Sequence, residues 1–305
     1  MLSRIVIVGA GAMGCFLAAR LAAGGLNVTV VDVDQARLDA IGREGITLHD
    51  DSGTTTTRVR ACLAADVAGP VDLVLLMTKG MFSAAAIRSV AHLAAHNPTV
   101  LTLQNGLGNV EAIAEVFDTD HILWGVTDFP ADLEGPAQVA SHGAGHIWLG
   151  GANDRAHAHA HAVAEALNRG LLNAEIDPEV RVSVWEKVAF NAALNPLSTI
   201  TGLPVGGLDC PEGRRIATAV AEETIATAIA LGVPIDPARV LTKIDFALAN
   251  HRTHKPSMLQ DRLAGRRTEI ESINGAIVRM AEQAGISAPT TRMLADLVRM
   301  GEPRG

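Results

Sequence analysis

The stretch RIVIVGAGAMGCFLAARLAAGGLNVTVVDVD, residues 4–34, decides the fold of this chain. Residues 5–8 are a short β-branched apolar run, which is typical of a strand buried on both faces. The strand leads directly into Gly9, Gly11 and Gly14, which have the spacing G-x-G-x-x-G. The first glycine permits a tight turn, the second lets backbone approach a pyrophosphate, and the third lets a helix pack closely on the strand. The predicted dinucleotide-binding loop consists of Gly9, Ala10, Gly11, Ala12, Met13 and Gly14.

The glycine pattern gains specificity from the residues that follow it. A helix is predicted over 12–23 and a second apolar strand over 28–31, so the stretch forms a complete strand–helix–strand unit that ends at Asp32. A carboxylate at this strand end can accept hydrogen bonds from both ribose hydroxyls of an adenosine, and it repels a 2′-phosphate. Asp32 therefore predicts that NADH is favoured over NADPH.

The composition predicts a soluble globular protein whose partner is a small molecule. The chain has 305 residues, 48% of them hydrophobic and 19% charged, which is sufficient for two domains. No run approaches the roughly 20 apolar residues of a membrane span, and the formal charge of -8 argues against nucleic acid or an anionic membrane as a partner. Cys15, Cys62 and Cys210 lack the paired spacing of a zinc site. We therefore expect a cytoplasmic protein with no structural metal.

Two further observations restrict the chemistry. The sequence contains no tyrosine, which excludes dehydrogenases that use a tyrosine hydroxyl beside a lysine as the proton donor. On the helix predicted over 156–169, His157 and His161 are one turn apart and could bind a metal. A solvated helix face is the more common reason for such a pair, so we expect no metal there.

The remaining pattern predicts an α/β fold class, with an N-terminal Rossmann-type doubly wound sheet followed by an all-α C-terminal domain. We expect a dinucleotide-binding domain over 1–177 and a helical domain for substrate binding and dimerisation over 178–305. The first domain is predicted to continue with a helix over 35–43, a hairpin of 45–49 with 54–62, strands over 72–77, 99–103 and 121–127, a helix over 82–95, an antiparallel pair of 138–141 with 146–149, and a strand over 173–176. The second is predicted to contain helices over 183–198, 213–231 and 237–251 and a long one over 257–284.

Two further strand ends carry candidate cofactor contacts. Lys79 follows the strand over 72–77, and Asn105 follows the strand over 99–103. Because ligands of doubly wound folds bind at the carboxyl edge of the sheet, both side chains are candidates. A solvated lysine that opens a helix is the alternative for Lys79, and a plain turn is the alternative for Asn105.

The first helix of the second domain carries a polar stripe. Lys187, Asn191 and Asn195 are spaced four apart on an otherwise apolar helix, so they share one face. A lysine flanked by two amides can hold a carbonyl oxygen and an adjacent carboxylate, and its ammonium can supply a proton as hydride arrives at carbon. The alternative is a surface stripe on a linking helix.

Two candidates lie later in the chain. Ser257 could bind a substrate carboxylate or cap a helix, and Glu269 could pair with a lysine or accept a hydrogen bond from a ribose.

Together these motifs resemble the ketopantoate reductase family (2-dehydropantoate 2-reductases) over essentially the whole chain. The motifs are GAGAMG at 9–14, LQNGLGN at 103–109, GVT at 125–127, W-x-K-x-x-x-N-x-x-x-N-P-L at 185–197, SMLQD at 257–261 and TEIESINGA at 268–276. The resemblance implies a homodimer that reduces 2-dehydropantoate to D-pantoate in pantothenate biosynthesis, with Lys187 as the proton donor. It also implies substrate contacts by Asn191, Asn195 and Ser257, and cofactor contacts by the glycine loop, Lys79, Asn105, Ala131 and Glu269.

The sequence departs from the family pattern at positions that affect cofactor and substrate. Family members commonly carry an arginine just after the second strand for the 2′-phosphate of NADPH, whereas this chain has Asp32 and no basic residue before Arg37. Substrate-contacting asparagines of some members fall here at Val205 and His254. These departures favour an alternative on the same scaffold, an NAD-dependent D-2-hydroxyacid dehydrogenase acting on mandelate or a branched-chain hydroxy acid. A more remote alternative is a non-catalytic NAD(H) sensor, which would not require Lys187 and the residues grouped with it.

Overall fold

The computed structural model describes residues 2–303, and the chain separates into two compact units. The first unit consists of Met1–Gln104 and Asn109–Val180, and the second of Asn105–Gly108 and Arg181–Gly305. The predicted α/β class is confirmed, because the first unit is built on a mostly parallel sheet and the second is helical.

The first unit contains two sheets. In chain order the strands are β1 (Arg4–Val8), β2 (Asn27–Val31), β3 (Ile46–Asp50), β4 (Gly53–Thr57), β5 (Arg60–Cys62), β6 (Leu73–Leu76), β7 (Thr99–Thr102), β8 (Ile122–Thr127), β9 (Asp132–Gly135), β10 (Gln138–Ser141), β11 (Ile147–Gly151) and β12 (Ala174–Ile176). The large sheet has the order β12-β11-β8-β7-β6-β1-β2-β5, and only β8 and β11 pair antiparallel within it. The small sheet has the order β4-β3-β10-β9.

The central strand β1 is buried on both faces, as its β-branched sequence predicts. Ile5 and Ile7 pack in one apolar core with the helix that follows, whereas Val6 and Val8 pack in a second core on the opposite face. Each of these four side chains is at most 3% exposed. The helices of this unit are α1 (Ala12–Ala23), α2 (Gln35–Glu44), α3 (Ser83–Ser89), α4 (Asn109–Ala114), α5 (Asp154–His157) and α6 (Ala160–Arg169).

Two strand predictions are wrong because strand pairing is not local. The hairpin of β3 and β4 forms, but β5 pairs instead with the open edge of β2, where Ala61 and Cys62 contact the two apolar cores. Strands β10 and β11 were predicted to pair with each other, yet β10 pairs with β3 and β9, and β11 pairs with β8 and β12. The segment between them therefore connects the two sheets and is not a hairpin turn.

Two helix predictions in this unit are also wrong. The helix predicted over 82–95 is α3 flanked by the 3-10 turns Gly80–Phe82 and Ala91–His96, and the second turn ends at Asn97, which has a φ of 47°. The helix predicted over 156–169 is interrupted between α5 and α6. His157 turns back so that its Nδ1 accepts from the Gly151 N–H (3.4 Å), and it does not share a continuous helix with His161.

The second unit is formed by α7 (Val180–Thr201), α8 (Pro211–Ala230), α9 (Pro237–Asn250), α10 (Ser257–Leu263), α11 (Asn274–Gln283) and α12 (Pro289–Met300). The long helix predicted over 257–284 is wrong, because α10 ends at Leu263. Just beyond it, Gly265 has a φ of +67°, and the Arg266 N–H donates to the Asp261 carbonyl (2.8 Å). The helix α12 was not predicted. No helix formed by residues 2–303 is long and apolar enough to cross a membrane.

Helix α7 continues through an internal proline. Pro196 has no N–H to donate, so the carbonyl of Ala192, four residues earlier, loses its helical partner. Asn274, which begins α11 and is fully buried, donates its side-chain amide to that carbonyl (3.1 Å). A buried carbonyl left without a partner is unfavourable, so Asn274 allows the helix to carry Pro196 in its interior.

This relation between Asn274 and Pro196 gives a prediction about stability. Asn274→Ala should lower the free energy of unfolding by about 1–3 kcal/mol, because it leaves a buried carbonyl without a donor. In a Pro196→Ala background, the alanine N–H can serve the Ala192 carbonyl, so the same substitution should be less destabilising by about 1 kcal/mol. The four proteins are the parent, the two single variants and the double variant, and chemical unfolding measures the free energy of unfolding of each. An equal loss of stability from Asn274→Ala in both backgrounds would contradict the role assigned to Asn274.

Candidate active site

The glycine loop between β1 and α1 is shaped by two close backbone contacts. Gly9 has a φ of +109°, and a Cβ there would lie 2.7 Å from the Thr78 nitrogen. A Cβ on Gly14 would lie 1.9 Å from the Gly9 carbonyl oxygen, so only glycine permits α1 to approach β1 this closely. A Cβ on Gly11 would meet no atom within 4 Å. Packing within the chain therefore explains the glycines at 9 and 14 but not the glycine at 11.

Open space lies in front of Gly11, at the N-terminus of α1. Gly11 is the N-cap of α1, which has no side-chain cap and no acidic residue in its first turn. The first N–H groups of such a helix are available to an anion, and the helix dipole favours negative charge there. The loop thus combines an open approach to backbone with unfilled donors, as dinucleotide binding requires.

Asp32 lies at the position predicted to bind the ribose, and it also forms hydrogen bonds that fix the glycine loop. It follows β2 directly, and its Oδ2 accepts from the Ala10 N–H (2.6 Å) while Oδ1 accepts from the N–H groups of Val33 (2.8 Å) and Asp34 (3.0 Å). The Ala10 carbonyl accepts from Arg37 Nη1 (2.7 Å) and from the Cys15 thiol (3.3 Å). Burial raises the pKa of that thiol to about 12, so it remains protonated and can donate at neutral pH.

The other candidate positions of the first unit lie beyond the ends of β6 and β8. Lys79 is half-buried immediately before the 3-10 turn that follows β6. Ala131 is half-buried between β8 and β9 and packs against the core that contains α1. Gln104 differs from these, because its amide donates to the Thr78 carbonyl (2.6 Å) and to Ser83 Oγ (2.8 Å). Its side chain therefore ties together the ends of β6 and β7.

The predicted polar stripe lies on α7 in the second unit. Lys187 and Asn191 are half-buried and Asn195 is 4% exposed, in a helix whose neighbouring positions are apolar and buried. Glu186, which precedes the lysine, is 3% exposed and pairs with Arg239 and with Lys243 (Nζ to Oε2, 2.9 Å) of α9. This ion-pair cluster fixes the rotation of α7 and so the direction of the stripe.

The remaining candidates of the second unit lie near the starts of α10 and α11. Ser257 is the exposed first residue of α10, and Pro256, not Ser257, occupies the N-cap position. Glu269 is half-buried, and its carbonyl accepts the N–H groups of Ser272 and Ile273 (both 3.1 Å). Asn105 begins the segment Asn105–Gly108, which reaches this turn because the Leu107 N–H donates to the Ser272 carbonyl (2.8 Å).

The two departures from the family pattern in this unit are neighbours. The Val205 N–H donates to the His254 carbonyl (2.9 Å), although 49 positions separate them in the sequence. Val205 is 2% exposed, while His254 is exposed and its ring lies 6.3 Å from that of His251, which in turn contacts Phe246. The two positions are thus joined through their backbones, with the valine side chain buried and the histidine exposed.

Sequence reasoning missed three residues that support these sites. Arg37 and Asn274 act through hydrogen bonds to backbone carbonyls distant in sequence, and Glu186 acts through an ion pair with α9. Asn274 lies within the motif TEIESINGA at 268–276, but the motif does not indicate its partner. The partners of all three depend on tertiary structure that spacing does not reveal.

A Rossmann-type unit with an open glycine loop, joined to a helical unit that carries a lysine and two amides on one stripe, defines a nicotinamide-dinucleotide-dependent oxidoreductase. Residues 5–154 match the family described as Ketopantoate reductase PanE/ApbA, and residues 179–302 match the one described as Ketopantoate reductase PanE/ApbA C terminal. The chain belongs to the ketopantoate reductase family, which confirms the resemblance predicted from its motifs.

Individual relatives span almost the whole chain. The 2-dehydropantoate 2-reductase of Halobacterium salinarum is 33% identical over 99% of this chain and 100% of its own length. A structure of D-mandelate dehydrogenase with NADH and anilino(oxo)acetate superimposes with a TM-score of 0.92 at 28% identity and covers 97% of both chains. A PanE/ApbA family ketopantoate reductase from Ralstonia eutropha has a TM-score of 0.89 at 30% identity, again over 97% of both chains.

The different reasons for Gly11 and Gly14 can be tested by a matched pair of substitutions. Gly14→Ala should destabilise the protein by several kcal/mol, because the new Cβ meets a backbone oxygen that cannot move away. Gly11→Ala should change stability by at most about 1 kcal/mol, since its backbone is extended and the space is open. It should nevertheless weaken NADH binding about tenfold or more. Thermal unfolding and fluorescence titration measure both quantities, and undiminished binding by Gly11→Ala would contradict the pyrophosphate position.

Proposed function

We propose that this protein reduces the keto group of 2-dehydropantoate to give D-pantoate, using a nicotinamide dinucleotide. The observation that carries the proposal is the stripe of Lys187, Asn191 and Asn195 on α7. The ammonium of Lys187 and the amides of Asn191 and Asn195 share one face of the helix, and these groups can bind the carbonyl and the carboxylate of a 2-oxo acid. Membership of the family and the names of its curated relatives support this substrate.

In the proposed reaction, Lys187 supplies the proton. The nicotinamide, when bound, supplies a hydride to the keto carbon. The ammonium of Lys187 gives its proton to the carbonyl oxygen, so the keto group becomes a hydroxyl and the amine is reprotonated from water. Asn191, Asn195 and Ser257 hold the substrate oxygens in our proposal. Donors placed before the reaction favour the charge that develops on oxygen.

We assign cofactor binding to two groups of residues. In the first unit these are the glycine loop from Gly9 to Gly14, Asp32, Lys79 and Ala131. In the second unit they are Asn105 and Glu269. NADH is the proposed cofactor, because Asp32 is an anion at the ribose position and Val33 follows it where some family members carry arginine. The NADH bound by D-mandelate dehydrogenase, a structural neighbour, supports this preference.

A second candidate function is an NAD-dependent D-2-hydroxyacid dehydrogenase. The observation in its favour is that Val205 and His254 stand where the family resemblance places substrate-contacting asparagines, and the structure joins these two positions by a backbone hydrogen bond. Loss of two amides removes hydrogen-bonding groups suited to the hydroxyl of 2-dehydropantoate, and so favours a substrate with a hydrocarbon or aryl group. The similarity to D-mandelate dehydrogenase supports the same alternative.

We also propose a homodimer formed through the helical unit. Met293, Leu297 and Met300 lie on one face of α12, and they are 64%, 42% and 76% exposed. Their spacing forms a continuous apolar stripe opposite the buried face of the helix, which supports contact with a second copy. A cytoplasmic location remains a prediction from the composition.

The substrate is tested by steady-state oxidation of NADH, and separately of NADPH, with 2-dehydropantoate, 2-oxoisovalerate, phenylglyoxylate and pyruvate. We expect the highest kcat/KM with 2-dehydropantoate and NADH. A higher kcat/KM with phenylglyoxylate or 2-oxoisovalerate would favour the dehydrogenase alternative. Nucleotide binding without turnover of any of the four would contradict the proposed reaction.

The proton donor is tested by two substitutions of one residue. Lys187→Ala should lower kcat by about 10²–10⁴-fold, the range typical of general acid catalysis, while NADH affinity is retained. Lys187→Arg keeps the positive charge, but a guanidinium does not release its proton, so kcat should fall to a similar level. If Lys187→Arg retained most of the activity, the residue would act through its charge and not as the proton donor.

A further inference from the structure

The backbone of Ala10 is held from both sides by side chains of opposite charge. Its N–H donates to Asp32 Oδ2 (2.6 Å), and its carbonyl accepts from Arg37 Nη1 (2.7 Å). Because these two backbone atoms belong to one residue, the carboxylate and the guanidinium lie close together over the glycine loop. The loop that fits the pyrophosphate therefore carries a cation as well as the anion that the sequence pattern predicted.

The guanidinium of Arg37 is held in place but retains donor capacity. Asp34 caps α2 by accepting the Arg37 backbone N–H (3.1 Å), and its Oδ2 lies 3.8 Å from Arg37 Nε. The Arg37 side chain is 24% exposed, so part of it reaches solvent, whereas its Nε is buried. The position of this cation is thus fixed by the N-terminus of α2 and the Ala10 carbonyl.

We propose that Arg37 is a specificity-determining residue that can hold a 2′-phosphate, and that the negative charge of Asp32 prevents it from doing so. The inference rests on the proposed binding of a dinucleotide at this loop. A 2′-phosphate would adjoin the ribose hydroxyls assigned to Asp32, and the exposed part of the guanidinium can donate a charge-assisted hydrogen bond to it. Asp32 and Asp34 together outweigh the one positive charge of Arg37. Neutralising Asp32 leaves the Asp34 carboxylate and the Arg37 guanidinium, whose charges balance. The net repulsion of a 2′-phosphate is then removed, and Arg37 is already in place as its donor.

This arrangement predicts that one substitution relaxes cofactor choice. Asp32→Asn keeps an oxygen that can accept from the Ala10 N–H and removes only the charge. No arginine has to be introduced after β2, because Arg37 comes from the first turn of α2. The chain would therefore differ from a form that accepts NADPH by a single charge.

The test is calorimetric titration with ADP-ribose and with 2′-phospho-ADP-ribose, which lack the nicotinamide and so report binding without turnover. The full-length proteins are the parent, Asp32→Asn, Asp32→Asn/Arg37→Gln and Arg37→Gln. Asp32→Asn/Arg43→Gln is the matched control, because Arg43 lies in the last turn of the same helix and pairs with Glu44. Thermal unfolding of each variant verifies that it is folded.

We expect Asp32→Asn to raise the affinity for 2′-phospho-ADP-ribose relative to ADP-ribose about tenfold or more. Adding Arg37→Gln should abolish this gain, whereas adding Arg43→Gln should preserve it. An absent gain, or a gain that persists without Arg37, would overturn the inference. An equal loss for both ligands in Arg37→Gln would also overturn it, since the arginine would then serve the adenosine or the pyrophosphate. Failure of the parent to bind ADP-ribose would instead refute the proposed dinucleotide site itself.

Discussion

The approach of Gly14 to the carbonyl of Gly9 is the constraint on which the first unit depends. With no Cβ at position 14, α1 lies directly against β1, and its first N–H groups point out of the turn between them. The same contact brings Phe16 and Leu17 into the core beside Ile5 and Ile7. Packing and ligand binding therefore have one geometric origin, and the glycine spacing serves both.

Several polar residues within the sequence motifs hold the backbone, whether or not they also bind a ligand. Gln104 joins two strand ends, Asn274 supplies the donor that Pro196 removes from α7, and Asp32 orients the glycine loop. Because an amide or carboxylate buried without a partner is unfavourable, each is held in one rotamer by the backbone groups it serves. A polar residue within a sequence motif therefore need not contact a ligand.

The sequence was sufficient for the fold class, because buried β-branched runs and helical periodicity are local signals. It was insufficient for pairings between distant segments. The partners of β5, β10 and β11 depend on which sheet edges remain open, and residues 138–149 contain no local signal that separates them into two sheets. The break between α10 and α11 was missed because Gly265 stands in an otherwise helical pattern. Among the site residues, the stripe on α7 follows from spacing, whereas the cation contributed by Arg37 depends on how α2 meets the glycine loop.

The segment Asn105–Gly108 has a consequence for the order of folding. It packs with the helical unit although the residues on both sides of it belong to the sheet unit, and a Cβ on Gly106 would lie 2.2 Å from the Ser272 carbonyl oxygen. Leu107 leaves the ribosome about 165 residues before its partner Ser272, which corresponds to on the order of ten seconds of synthesis. Strands β7 and β8, which lie before and after this segment in the chain, can therefore pair long before the segment reaches its final contacts. The loop that bears Asn105 therefore reaches its final conformation only after Ser272 has been synthesised.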